Sequence, residues 1–247
     1  MLAKRIIPTL LYRGSTLVKG KQFQSWRSVG HVQQAARIHA MRGVDELCCL
    51  DIGATPEGRG PDFALVEKLT DGNFCPVTVG GGVRTVEDVK MLLRAGADKV
   101  AICTGSSRLI EESASRFGSQ AIVAAIDVGN VAKLQMSYVR CGSSTTGWEA
   151  VALARRYERD GAGEILLTSI DREGTMEGYD LDLIKAVSEA VSIPVIAHGG
   201  AGTYSDFHKA ILAGADAVAA GAMFQFTDAT PKGAAEYLAA QGIEVRL

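Results

Sequence analysis

The chain reads twice. Gly81, Gly82, Val83, Arg84 and Thr85 return as Gly199, Gly200, Ala201, Gly202 and Thr203, at an offset of 118 residues. Ala95, Gly96, Ala97 and Asp98 return as Ala213, Gly214, Ala215 and Asp216 at the same offset. Gly43, Glu46 and Leu47 match Gly161, Glu164 and Ile165 in that register, whereas Asp51, Thr55, Glu57 and Gly58 match Asp171, Thr175, Glu177 and Gly178 two residues later. A period this long is not that of a solenoid, whose units run to about 20–50 residues. It implies a duplicated half-domain.

Within each half, short apolar runs alternate with amphipathic stretches. Residues 6–11, 47–50, 77–79, 100–102, 122–126, 165–167, 195–197 and 217–220 are too short and too continuous for half-exposed strands, and predict buried parallel ones. Between them the pattern predicts helices, such as 86–95 with Val86, Val89, Leu92 and Leu93 on one face, and 181–191. Eight strand–helix units result, four per half. With 247 residues, near the ~250 typical of the fold, one (β/α)8 barrel spanning 1–247 is expected.

Composition excludes several alternatives. The chain is 47% hydrophobic with 28 Gly and only 6 Pro, which suits one large core without a linker. A formal net charge of −2 with no basic stripe argues against a nucleic-acid partner. The first apolar run is broken by Pro8 and is far too short for a membrane span, so a cytoplasmic protein is expected. The five cysteines, Cys48, Cys49, Cys75, Cys103 and Cys141, lack C-x-x-C spacing. They are read as reduced thiols, with no metal site and no cofactor motif.

In such a barrel the working residues stand at the C-terminal ends of the strands. Those ends offer Leu11, Asp51, Gly81 and Gly82, Cys103 and Thr104, Asp127, Thr168, His198 with Gly199 and Gly200, and Gly221 with Ala222. The two Gly-Gly loops lead into helices, where free backbone N–H groups and the helix dipole hold phosphate. Being related by the repeat, they suit a ligand with a phosphate at each end. Asp127 closes an apolar strand, a setting that tunes a carboxyl for acid–base work. Asp51 could orient Lys19 or the loop 54–60. Arg5, Glu46, Lys99 and Glu164 begin strands instead of ending them, one per alternate strand, and are read as a solvated ion-pair ring at the barrel bottom that could close the axis.

The run 1–8, the loop 79–82, the run 93–100, Gly118-Ser119-Gln120, the stretch 163–171 and the end 242–247 together resemble the cyclase subunit of imidazole glycerol phosphate synthase. That family's barrel receives ammonia at its bottom from a partner glutaminase and passes it through a salt-bridge gate to a bis-phosphate substrate at the top. The resemblance implies that Arg5, Glu46, Lys99 and Glu164 form the gate. It places Asp98 and Gln120 on the glutaminase-facing surface. It makes Asp127 catalytic, and Lys19, Asp51, Gly82, Thr104, Thr168, Gly174 and Gly200 ligand-binding. Leu11 stands where the family has a catalytic aspartate. Cys103 replaces an Asn, Glu173 an Asp, His198 a Ser and Ala222 a Ser. An intact bottom under a rewritten top resembles the paralogous branch of surface-glycan pathways, in which the barrel and its glutaminase supply ammonia to an ATP-dependent amidotransferase that makes an amidino-sugar. Two other readings stay open: a cyclase of histidine biosynthesis in which Asp127 alone moves protons, and a non-catalytic barrel that activates a glutaminase.

Overall fold

A computed structural model describes residues 3–103 and 107–246. Its first half contains β1 (Arg5–Arg13), β2 (Thr16–Lys21), β3 (Gln24–His31), α1 (Val32–Met41), β4 (Leu47–Asp51), α2 (Phe63–Thr70), β5 (Val77–Gly80), α3 (Val86–Arg94), β6 (Lys99–Cys103) and α4 (Ser107–Phe117). The second contains β7 (Ile122–Val131), β8 (Leu134–Val139), β9 (Ser144–Glu149), α5 (Ala150–Arg159), β10 (Glu164–Ser169), α6 (Leu181–Ser188), β11 (Val195–His198), α7 (Tyr204–Leu212), β12 (Ala217–Ala220), α8 (Ala222–Phe226) and α9 (Pro231–Ala240). The parallel strands run in the order β1, β4, β5, β6, β7, β10, β11, β12, and β12 pairs back onto β1. The sheet is therefore a closed (β/α)8 barrel.

The duplication is visible in the elements themselves. Helices α1 and α5, α2 and α6, and α3 and α7 begin and end 118 residues apart. The two-residue shift of Asp51–Gly58 against Asp171–Gly178 is confined to the loops, because α2 and α6, which follow them, stand in the 118 register. Each half also carries an antiparallel hairpin, β2–β3 and β8–β9, between its first barrel strand and its first helix. The apolar runs do not announce these hairpins. β3 presents an almost wholly exposed face, so its residues carry no burial signal. Strands β1 and β7 are accordingly longer than their apolar cores, since each continues upward into its hairpin. Helix α6 stops at Ser188, short of the expected 191.

Period-two alternation splits each barrel strand between two cores. Ile6 and Leu10 face outward into the layer beneath the helices, where Leu47, Leu92, Ile122 and Phe207 are buried. Ile7, Cys48, Ala101, Val123, Ala125, Leu166, Ile196, Ala217 and Ala219 face the axis. The inner set is rich in small side chains. No described helix is long and apolar enough to cross a membrane, and all five cysteines are free thiols.

Candidate functional site

The C-terminal strand ends open into a cavity of about 860 Å³. Leu11, Asp51, Gly81, Gly82, Cys103, Asp127, Thr168 and His198 line it, and its floor reaches Ala101, Ala125 and Leu166 of the inner core. Thr104 lies outside the described residues. Leu11, at the end of β1, is 3% exposed and gives that wall an apolar surface with no transferable proton.

Opposite it, Asp127 projects from β7 beside Cys103 and Thr168. Burial pushes its carboxyl up to about 6, with Glu173 adding to the rise and hydrogen bonds from Cys103 and Thr168 opposing it. Cys103 Sγ stands 3.5 Å from Asp127 Oδ2. A carboxyl titrating in this range can both give and take a proton near neutral pH, as a general acid–base group must.

A second polar cluster lies on the β10–β12 side. His198 Nδ1 is 3.1 Å from Thr168 Oγ1, and its Nε2 is 3.8 Å from Glu173 Oε2. Lys19, 2% exposed, reaches in from β2 and donates to the Thr9 carbonyl at 3.1 Å. Burial depresses its ammonium to about 8, with Glu173 partly offsetting the effect. The Lys19 ammonium also fills the space above Gly221, where any side chain would collide with it. Lys19, Glu173, His198 and Gly221 thus converge although the sequence scatters them across both halves. Hairpin β2–β3 is tied down there: Gln22 N donates to Glu173 O at 2.8 Å, and the glycine at 174 (φ +71°) lets that loop close on the Gly20 carbonyl.

Of the two roles left open for Asp51 by sequence, orienting Lys19 or the loop 54–60, the contacts are those of the second. Its carboxylate takes both Arg59 guanidinium nitrogens, at 2.7 and 3.1 Å, and the amides of Gly53 and Ala54 at 2.9 and 3.2 Å. It therefore orders the loop 54–60 and does not contact Lys19. Arg59 itself carried no sequence signal, because its partner is fixed only when the loop folds back. The rim residues Arg13, Phe23, Trp26, Arg140 and Cys141 also line the cavity. They sit on or beside the two hairpins and were missed with them.

The two glycine loops share a close approach to neighbouring backbone, and the helix ends behind them are capped by their own side chains. Gly81 (φ +116°) and Gly199 (φ +91°) pass so close to neighbouring backbone, the Asp51 and Ser169 carbonyls, that only glycine fits. Behind Gly82, the amides of Arg84 and Thr85 donate to the Asp88 carboxylate at 3.0 and 2.9 Å. Behind Gly200, those of Gly202 and Thr203 donate to Asp206 at 3.1 and 2.8 Å. These N-termini carry capping boxes, which take up the amides just before each helix. On the second rim Lys19 and the start of α8, where Gly221 makes no side-chain cap, stand beside the glycines. A phosphate site after the last strands, at a short extra helix, is a recurrent feature of this barrel architecture.

At the other end, the four charged residues do meet. Glu46 Oε2 accepts from Arg5 at 2.6 Å and from Lys99 at 2.9 Å, and Glu164 accepts from the same two cations at 2.9 and 3.1 Å. Thr78 adds a hydrogen bond to Glu46 at 2.6 Å. The ring is only partly solvated: the Glu46 side chain is 2% exposed, whereas Arg5, Lys99 and Glu164 are 24%, 16% and 14% exposed. Nor does it use alternate strands throughout, since Arg5 and Glu46 belong to the adjacent β1 and β4 region. The two acids are repeat mates, whereas the repeat position of Lys99 is Ala217. Arg5 is in register with Ala217 on β12, and the small alanine leaves room for the guanidinium to complete the ring. Asp98 and Gln120 are both exposed beside it. Asp98 also braces β5, accepting from Val77 N at 2.8 Å, as its repeat mate Asp216 does from Val195 N at 3.1 Å.

The histidine biosynthesis protein family matches residues 5–230 of the chain. The chain is also similar, over its whole length, to the imidazole glycerol phosphate synthase subunit HisF of Hyphomonas neptunium. Identity is 47% over 250 residues, covering 100% of this chain and 99% of the relative.

Proposed function

The chain belongs to the histidine biosynthesis protein family, and from that premise we propose that it is an ammonia-accepting synthase subunit forming an imidazole ring on a bis-phosphate substrate, with Asp127 as its acid–base carboxyl. The observation that carries this reading is the pairing of two sites on one axis. A desolvated carboxyl stands in a cavity flanked by glycine loops at the top, and a partly buried, charge-balanced ring closes the bottom. The ring is the gate for ammonia, and the face around it, with Asp98 and Gln120, docks a glutaminase. The phosphorylated ends bind at Gly81, Gly82 and Cys103 on one rim, and at Gly174, Gly199, Gly200, Gly221 and Ala222 with Lys19 on the other.

Sequence reading placed the surface-glycan branch first. Full-length identity of 47% to a HisF supports cyclisation instead, and the order of the two readings is reversed accordingly. Leu11 keeps the glycan reading second, because the β1 wall lacks a carboxyl.

The test offers the purified chain the ribulosyl bis-phosphate of histidine biosynthesis with an ammonium salt. Imidazole product is expected, and Asp127→Asn should abolish it. A chain that binds the bis-phosphate without product, yet forms a complex with a glutaminase and feeds an ATP-dependent amidotransferase, would replace this reading with the glycan one.

A further inference from the structure

We propose that the Cys103 thiol is the positioning group of the acid–base site: it holds Oδ2 of Asp127 and so fixes the plane in which that carboxyl meets the ligand. The proposal rests on the reading of Asp127 as the acid–base group, and it gives Cys103 a role besides the rim contact named above.

Two neighbouring strands set the contact. Cys103 ends β6 in register with Ala125 on β7, and Ala125 shares a face of its strand with Asp127. Ala125 belongs to the inner core and Cys103 packs against it, so the thiol lies one step below Asp127 on the axial side of the sheet. From there Sγ reaches Asp127 Oδ2 at 3.5 Å, a hydrogen-bond distance for sulfur. Both residues line the cavity. An ionised carboxylate only accepts, so the thiol is the donor. The torsion that orients an aspartate carboxyl is broad, and a donor fixed on the next strand narrows it.

The kind of donor matters as much as its place. A hydrogen bond to the ionised form favours that form, and a hydroxyl or amide here would draw Asp127 toward the ordinary carboxylate range. A thiol is a weak donor. It orients the carboxyl while burial still holds it at about 6, where the group both gives and takes a proton near neutral pH. The β1 wall of the cavity offers only Leu11, so one carboxyl has to serve in both directions. The other titratable groups around it are Glu173 from the loop after β10, which adds to the rise, and Tyr138, in register with it on β8. Cys141 follows at the β8–β9 turn, its thiol pushed up to about 11 by burial with Asp127 contributing. His198 stands one strand beyond, in register with Thr168.

The experiment follows the Asp127 carboxyl by carbon NMR in the full chain carrying isotope-labelled aspartate, with the signal assigned from Asp127→Asn. Cys103→Ala removes the donor and should raise the midpoint by roughly half a unit, whereas Cys103→Asn supplies a stronger donor and should lower it by roughly one unit. In assays with ammonium salt and the ribulosyl bis-phosphate, the pH profile of kcat should move with the carboxyl in each variant. A side chain that only fills space would change kcat or the unfolding midpoint without moving the titration, so an unmoved Asp127 in Cys103→Ala overturns the proposal. The parent chain gives a second answer with every side chain in place. Its infrared S–H stretch should shift to lower frequency as pH rises through about 6, because the bond strengthens when Asp127 ionises, and Asp127→Asn should abolish that shift. S–H bands that stay fixed across the titration refute the contact. A chain that forms no imidazole product would sink the proposed function, and the carboxyl titration and the infrared band, which need no substrate, still decide this proposal.

Discussion

At the residue scale, Asp127 is a group whose usefulness costs stability. Its carboxyl is lifted from 3.8 to about 6 by burial, so between these values the folded chain holds a proton that the unfolded chain has released. Stability therefore falls as pH rises through this window, and the penalty is complete above it. Asp127→Asn should stabilise the protein at pH 7.5 by roughly 1–3 kcal/mol, with the gain shrinking toward pH 4. Urea unfolding at both pH values checks this, and an equal gain at both would mean that packing, not charge, is responsible. Gly221→Ala isolates a different contact. Gly221 has φ −116°, which alanine tolerates, so the main conflict is with the Lys19 ammonium, and the Thr9 carbonyl that the ammonium bonds is also close, at 3.0 Å. Inorganic phosphate binding, followed by calorimetry, should weaken about tenfold or more while the unfolding midpoint moves little. Asp127 was legible from sequence because it ends an apolar strand. The convergence of Lys19, Glu173 and His198 was not, since each belongs to a different strand or loop and only barrel closure brings them together. Arg59 gave no signal at all, because an exposed-looking arginine in a loop acquires meaning only from the carboxylate it folds onto.

At the element scale, the strands and helices that build the barrel were legible and the hairpins were not. A parallel strand buried on both faces writes a continuous apolar run; β3, with Gln24, Ser25, Arg27 and Ser28 exposed, writes nothing. The bottom ring was legible as residues but not as an environment. Because Glu46 is 2% exposed, Lys99→Ala removes one of two cations from a desolvated carboxylate, and the surface-pair figure of ~0–1 kcal/mol does not apply. Arg5 and Thr78 still hold Glu46, so the expected loss is about 1–3 kcal/mol, below the 3–5 kcal/mol of a wholly orphaned charge. Thermal unfolding of Lys99→Ala beside Lys99→Met, which restores bulk without charge, measures it. In a glutaminase complex both variants should hydrolyse glutamine faster than they aminate the acceptor, and stoichiometric coupling in both would dismiss the ring as a gate.

At the scale of the whole molecule, the two chain ends meet. Lys4 bridges Val245 in parallel fashion, and Lys4 N donates to Glu244 O at 2.8 Å. Joining the ends by a short linker and opening the chain between Ala132 and Lys133, an exposed turn with positive φ at both residues, should give a folded permutant. Circular dichroism and an unfolding midpoint within about 10 °C of the parent are the expected results; an unfolded product would mean that β7 and β8 must be contiguous for the barrel to close. The floor of that barrel has a further consequence. Two cations and two anions cancel, so the plug exerts little net field along the axis, and beyond it stand the apolar Ile7, Val123 and Ile196. An ion of either sign entering there would shed its water with nothing to replace it, whereas a small uncharged molecule would lose little. On the proposed reading of the ring as an ammonia gate, passage through this floor would be sorted by how tightly water holds the visitor, refusing ammonium and admitting ammonia.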